Sequence, residues 1–92
     1  MRMRINIVYV HVHFSKFVMN VRRVIVNWAA VGRRLREYRG FDVNQEELAR
    51  HLGISQGQLS RYEKGTSEIG AQVLLRLAKQ SGKSIEWWLT GE

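Results

Sequence analysis

The hydrophobic and polar positions of residues 45–64 repeat with a helical period in two short blocks. In each block the apolar positions recur at helical spacing, which places them on one face of a helix that must be buried. Gly53 separates the blocks, and glycine ends a helix readily because it adopts positive φ at little cost. Ser55 can then accept a backbone N–H and start the second helix. The pattern predicts a helix, a tight turn and a second helix. The apolar positions of the stretch are Leu48, Ala49, Leu52, Ile54, Leu59 and Tyr62.

The same period predicts three further helices around this pair. Asn27 is a good N-cap for a helix that runs to Gly40. Another helix begins near Ala71 and ends near Gly82, and Ser84 starts a short last one. We therefore expect five helices in the second part of the chain. Their remaining apolar positions are Trp28, Val31, Leu35, Tyr38, Val73, Leu74, Leu77, Ala78, Ile85, Trp87, Trp88 and Leu89, with Ile69 in the loop before the fourth helix.

Residues 1–26 have a different pattern. Ile, Val, Tyr and Phe are interspersed with polar residues over residues 3–14, which is typical of a β-strand, and residues 17–26 favour a second strand but also fit a helical stripe. Two strands alone leave exposed edges, so pairing with another copy would give a homodimer. The alternatives are a poorly ordered extension, or translation from Met19. We divide the chain into a β-prone arm, residues 1–26, as a possible dimerisation element, and a helical domain, residues 27–92.

Charge and composition indicate the kind of partner. The 92 residues suggest one small domain, and a net charge of +7 favours an anionic partner. Residues 1–39 hold nine Lys and Arg and one acidic residue, whereas residues 40–92 hold six and seven. The basic excess therefore lies on the arm and the first helix, and not on the pair of helices in residues 45–64.

Several classes of protein are not expected. There are no cysteines, which excludes disulfides and thiolate metal sites and fits a reducing cytosol. His11 and His13 would share a face only on a strand and have no carboxylate close in sequence, so we expect no metal. No run of eighteen apolar residues and no signal-peptide cleavage site is present, which favours a cytoplasmic protein without a membrane partner. No catalytic motif stands out, so we expect neither an enzyme nor a cofactor.

Residues 45–64 read QEELARHLGISQGQLSRYEK, preceded by LREYRG and followed by LLRLAKQSGKS and WWLTGE. These stretches resemble the lambda-repressor-like (Cro/repressor, XRE) helix-turn-helix family. The resemblance implies a mainly α, compact five-helix DNA-binding domain. It also implies a sequence-specific regulator of transcription, such as a phage, prophage or bacterial repressor, with its recognition helix in the major groove of double-stranded DNA. The chain departs from the family in a longer loop after Gly40 and in lacking a proline near Ile69.

The resemblance also assigns roles to individual residues. Gln56 can pair with adenine and Arg61 with guanine or a phosphate, whereas Gly57 has no side chain, so specificity is modest or relies on DNA shape. By position, Arg36 and Glu63 match a charged pair that braces the first helix against the recognition helix. The base-reading positions are Gln56, Gly57, Gln58, Ser60 and Arg61. The phosphate-binding positions are Gln45, Ser55, Lys64, Thr66, Arg33 and Arg36.

Two other functions remain open. The first is an antitoxin-like protein that holds a toxin or regulator partner through its basic arm or its last helix, and binds DNA to regulate its own gene. A neighbouring gene for a small toxin would favour it. The second is a module that only binds proteins, which failure to bind any duplex at low salt would favour.

Overall fold

In the computed structural model, residues 25–92 are described, and over this range the chain folds into five helices. The predicted mainly α, five-helix fold is confirmed, and no strand is present among the described residues. Of the predicted arm, only Ile25 and Val26 fall within this range, so the predicted strands and the homodimer lie outside it and stay predictions. The helices are α1 (Trp28–Arg39), α2 (Gln45–Leu52), α3 (Gln56–Lys64), α4 (Ala71–Ser81) and α5 (Ile85–Thr90).

The helix ends follow local signals in the sequence. The side chains of Asn27, Ser55 and Ser84 each accept a first-turn backbone N–H at 2.9–3.1 Å, which confirms the three predicted N-caps. Asn44 caps α2 in the same way at 2.8 Å. Gly53 ends α2 in the left-handed conformation, with φ 71° and ψ 30°, as predicted. Gly53 and the Ser55 cap together set the tight turn between α2 and α3.

All five helices contribute to a single core. Leu59 and Tyr62 anchor α3 in it, and the predicted contribution of Ile69 is confirmed. Trp88 is fully buried and its Nε1 donates to Ser81 Oγ at 3.1 Å, whereas Trp87 is only partly covered. The burial of apolar side chains from each helix therefore fixes the position of α3. The buried residues are Val31, Leu35, Leu48, Ala49, Leu52, Leu59, Tyr62, Ile69, Val73, Leu74, Leu77 and Trp88.

The backbones of α1 and α3 approach each other closely at Gly32. A Cβ atom placed on this residue would lie 2.5 Å from the carbonyl oxygens of both Tyr62 and Glu63. Real Cβ atoms do not come this close to backbone oxygens, so only glycine fits here without moving one helix. The last turn of α3 therefore rests directly on the backbone of α1.

Candidate functional site

The two sides of α3 differ sharply in exposure. Leu59 and Tyr62 are buried, with 0% and 7% of their surface exposed, whereas Gln56, Gly57 and Arg61 are exposed. The other two predicted base-reading residues, Gln58 and Ser60, are half-buried. A row of amide, hydroxyl and guanidinium groups therefore lies along the outward part of α3, with no large apolar side chain among them.

A direct hydrogen bond joins the first residues of α2 and α3. Gln56 Nε2 donates to Gln45 Oε1 at 2.7 Å, and Gln45 Nε2 in turn donates to Glu63 Oε1 at 2.9 Å. This bond brings a predicted base-reading residue next to a predicted phosphate contact. Gln56 keeps its carbonyl oxygen and one amide hydrogen for another partner.

The predicted pairing of Arg36 with Glu63 is wrong, because Arg39 holds this carboxylate. Arg39 Nε donates to Glu63 Oε2 at 2.7 Å and Arg39 Nη2 to Oε1 at 3.0 Å, a two-point contact. Arg39 Nη1 also donates to the Val43 carbonyl oxygen at 3.0 Å. Arg36 is exposed, whereas the side chains of Arg39 and Glu63 are 17% and 5% exposed. The long loop after Gly40 supplies the Val43 carbonyl that holds the guanidinium of the last α1 residue.

The ion pair perturbs the titration of Arg39. Its hydrogen bond to Glu63 raises the pKa of Arg39 above the ordinary value, and the charge of Glu63 adds to this, while burial acts in the opposite direction. A raised pKa in the folded state means a stabilising contribution that is complete below the ordinary arginine pKa. This contribution is lost only as the pH rises through the raised pKa. Arg39 therefore stays protonated throughout the neutral range, so its ion pair with Glu63 is not lost by deprotonation of Arg39 there.

A second hydrogen-bonded chain lies on the outward side of α3. Arg61 Nη2 donates to Gln58 Oε1 at 2.7 Å, and Gln58 Nε2 donates to Ser67 Oγ at 3.3 Å in the loop after α3. Ser67 is not among the predicted base-reading or phosphate-binding residues. The one sequence signal for it is its position shortly after the end of α3. Two predicted base-reading residues are thus linked to each other before any partner binds.

The residues predicted to contact phosphates differ in whether their donor groups are already engaged in hydrogen bonds. Ser55 Oγ accepts the Gln58 backbone N–H, which leaves its own hydrogen free to donate. The Thr66 hydroxyl donates to the Arg61 carbonyl oxygen at 3.2 Å, so its hydrogen is already engaged at the end of α3. Lys64, Arg33 and Arg36 are exposed.

Between residues 25 and 92, no three His, Asp or Glu side chains are grouped so that they could hold a metal ion. No helix of this part of the chain has the length and apolar character needed to cross a membrane.

The sequence matches the model of a known protein family and is similar to that of a known protein. Residues 33–88 match a family model described as "Helix-turn-helix". A Rhodospirillum rubrum protein described as "Uncharacterized transcriptional regulator in ATPase CF(0) region" is 36% identical over 63 residues, which cover 67% of this chain and 58% of that protein. The chain thus spans less than two thirds of this relative's length. No solved structure matches the chain.

Proposed function

We propose that this chain, which belongs to the lambda-repressor-like helix-turn-helix family of DNA-binding domains, is a sequence-specific regulator of transcription. In this proposal α3 enters the major groove of double-stranded DNA with its N-terminus leading. The observation that carries the proposal is the hydrogen bond between Gln45 and Gln56, the two side chains that we propose contact a phosphate and a base. The description of the R. rubrum relative as a transcriptional regulator supports the same role, and not that of an enzyme.

Base readout would come from the outward part of α3. Gln56 has an oxygen and an amide hydrogen free, which match N6 and N7 of adenine, while its other hydrogen keeps the bond to Gln45. Arg61 can donate two hydrogen bonds to O6 and N7 of guanine. Gln58 and Ser60 lie beside them, and Gly57 adds no side chain of its own.

Phosphate contacts would fix the position of α3 in the groove. Gln45 and Ser55 lie at the starts of α2 and α3 or just before, where backbone N–H groups also favour an anion. Lys64 and Thr66 flank the end of α3, and the Thr66 hydroxyl would exchange its bond to the Arg61 carbonyl for a phosphate. From α1, the exposed cations Arg33 and Arg36 would add charge attraction.

The assembly and setting are also proposals. A homodimer held by residues 1–26 would place two copies of α3 about 34 Å apart and require a roughly palindromic site. We propose a cytoplasmic repressor of the phage, prophage or bacterial type, which acts without a cofactor.

The alternative is an antitoxin-like protein that binds a toxin and regulates its own gene through DNA. One observation favours a protein partner: Phe41, in the loop between α1 and α2, is fully exposed. Copurification of the full chain with the product of a neighbouring gene, and loss of that partner in Phe41→Ser, would favour this function.

Two cations on α3 provide a test of direct base readout. A duplex selected from a random pool is compared with a scrambled duplex at several salt concentrations. Arg61→Ala should cost roughly 1–3 kcal/mol on the selected duplex and little on the scrambled one, because it removes a base contact. Lys64→Ala should weaken both alike and reduce the salt slope by about one, because it removes a phosphate contact. Equal losses on both duplexes for both variants would make Arg61 a phosphate contact.

A further inference from the structure

The guanidinium of Arg61 lies beside the residue one helical turn before it. Long side chains in a helix point back towards its N-terminus, over the residue four positions earlier. For Arg61 that residue is Gly57, and a Cβ atom placed there would lie 3.9 Å from Arg61 Nη1. A longer side chain at this position would compete with Arg61 for the same space.

The fold itself does not require a glycine at this position. Gly57 is exposed, it is not among the glycines with positive φ, and a Cβ atom would meet Arg61 only at ordinary contact distance. Glycine also lowers helix stability relative to alanine. The structural effect of Gly57 on α3 is therefore to leave space beside the guanidinium of Arg61.

Hydrogen bonds that run from Arg61 through Gln58 to Ser67 restrict the conformations of the Arg61 side chain. The Gln58 amide oxygen accepts from Arg61 at 2.7 Å, and the amide nitrogen of the same side chain is held by Ser67 at 3.3 Å. Arg61 retains Nη1, Nε and one hydrogen of Nη2 for a partner. An arginine held in place before binding loses less rotamer freedom when it binds.

We propose that Gly57 opens a place on α3 that Arg61 fills, and that Gln58, braced by Ser67, is a positioning residue that presents Arg61 to a guanine in the major groove. The base read from this turn of the helix is then guanine, although residue 57 has no side chain. This inference rests on the proposed DNA binding.

The first experiment tests the open place. The full chain selects a duplex from a random pool, and affinities are measured for that duplex and for each single base-pair change. Arg61→Ala should abolish the preference at one G·C pair, by about tenfold or more. Gly57→Met, which cannot donate a hydrogen bond, should abolish the preference at the same pair, whereas Gly57→Ala should retain it. Helical circular dichroism checks that each variant is folded.

The second experiment tests the positioning residues on the same duplexes. Gln58→Ala and Ser67→Ala should each reduce the preference at that G·C pair by roughly three- to tenfold, the cost of ordering one long side chain. Neither should reduce it further when Arg61 is already alanine. A role in binding phosphate would instead weaken all duplexes alike.

The outcomes separate this inference from the proposed function. If the selection enriches no duplex at low salt, the proposed function is wrong and this inference fails with it. A selected duplex whose guanine preference survives in Gly57→Met, or is unchanged in both Gln58→Ala and Ser67→Ala, would overturn the inference alone and leave DNA binding in place.

Discussion

A glycine of α1 faces the inner side of α3 and a glycine of α3 itself lies on its outer side, and the two glycines have opposite roles. On the inner side, Gly32 of α1 lets the backbone of α3 come so close that a Cβ atom would meet two carbonyl oxygens at 2.5 Å. On the outer side, a Cβ atom on Gly57 would meet only Arg61 Nη1, at 3.9 Å. The fold requires the first glycine and tolerates replacement of the second.

The difference separates what holds α3 from what α3 presents. The inner side is fixed by the close approach at Gly32 and by the ion pair between Arg39 and the nearly buried carboxylate of Glu63. The outer side is ordered by hydrogen bonds between exposed groups, which leave further donors and acceptors free for a partner. A closely packed inner side therefore supports an outer side of hydrogen-bonded polar groups.

The largest expected effect concerns the inner ion pair. Arg39→Met should lower the free energy of unfolding by about 3 kcal/mol, because it leaves the nearly buried Glu63 carboxylate without its cation. Arg36→Met, a matched change on an exposed residue of the same helix, should cost less than about 0.5 kcal/mol. Urea unfolding of the full chain measures both.

A double variant sharpens this test. Adding Glu63→Met to Arg39→Met removes the unpaired charge and should restore part of the lost stability. Equal losses in Arg36→Met and Arg39→Met would mean that Arg39 does not brace α3, and the two sides of the helix would then not differ as described.

The next effect concerns the close approach of α1 and α3. Gly32→Ala should destabilise the fold by about 2 kcal/mol, because the added methyl group forces the two backbones apart. Helix propensity alone would make the same change stabilising by up to about 1 kcal/mol. The sign of the change in urea unfolding therefore decides between packing and propensity, and a gain in stability would contradict the close approach.

Much of this fold could be predicted from the sequence because its signals are local. Apolar spacing gave the five helices, and Asn27, Ser55 and Gly53 marked ends that the structure confirms. Each of these signals acts within one or two turns of the chain, so it does not depend on how the helices pack.

The features that were not predicted depend on contacts between distant residues. Family position pairs Arg36 with Glu63, whereas the structure pairs Arg39 with it, because the loop after Gly40 brings the Val43 carbonyl against the Arg39 guanidinium. Gly32 does not stand out in the helical pattern of α1, because its role depends on the backbone of α3, which packs against it only in the folded chain. Ser67 meets Gln58 only once the chain turns after α3.

The smallest expected effect is on the outer side of α3. Gly57→Ala should raise the free energy of unfolding by about 0.5 kcal/mol, because alanine reduces the backbone freedom of the unfolded chain and its methyl group fits beside Arg61. Urea unfolding of Gly57→Ala, measured beside Gly32→Ala, compares the same substitution on the outer side of α3 and on the face of α1 that meets its inner side. Opposite signs would establish that only the inner glycine serves the fold. A loss at Gly57 as large as that at Gly32 would mean that the outer side of α3 is as tightly packed as the inner one, and that Arg61 has no open place to fill.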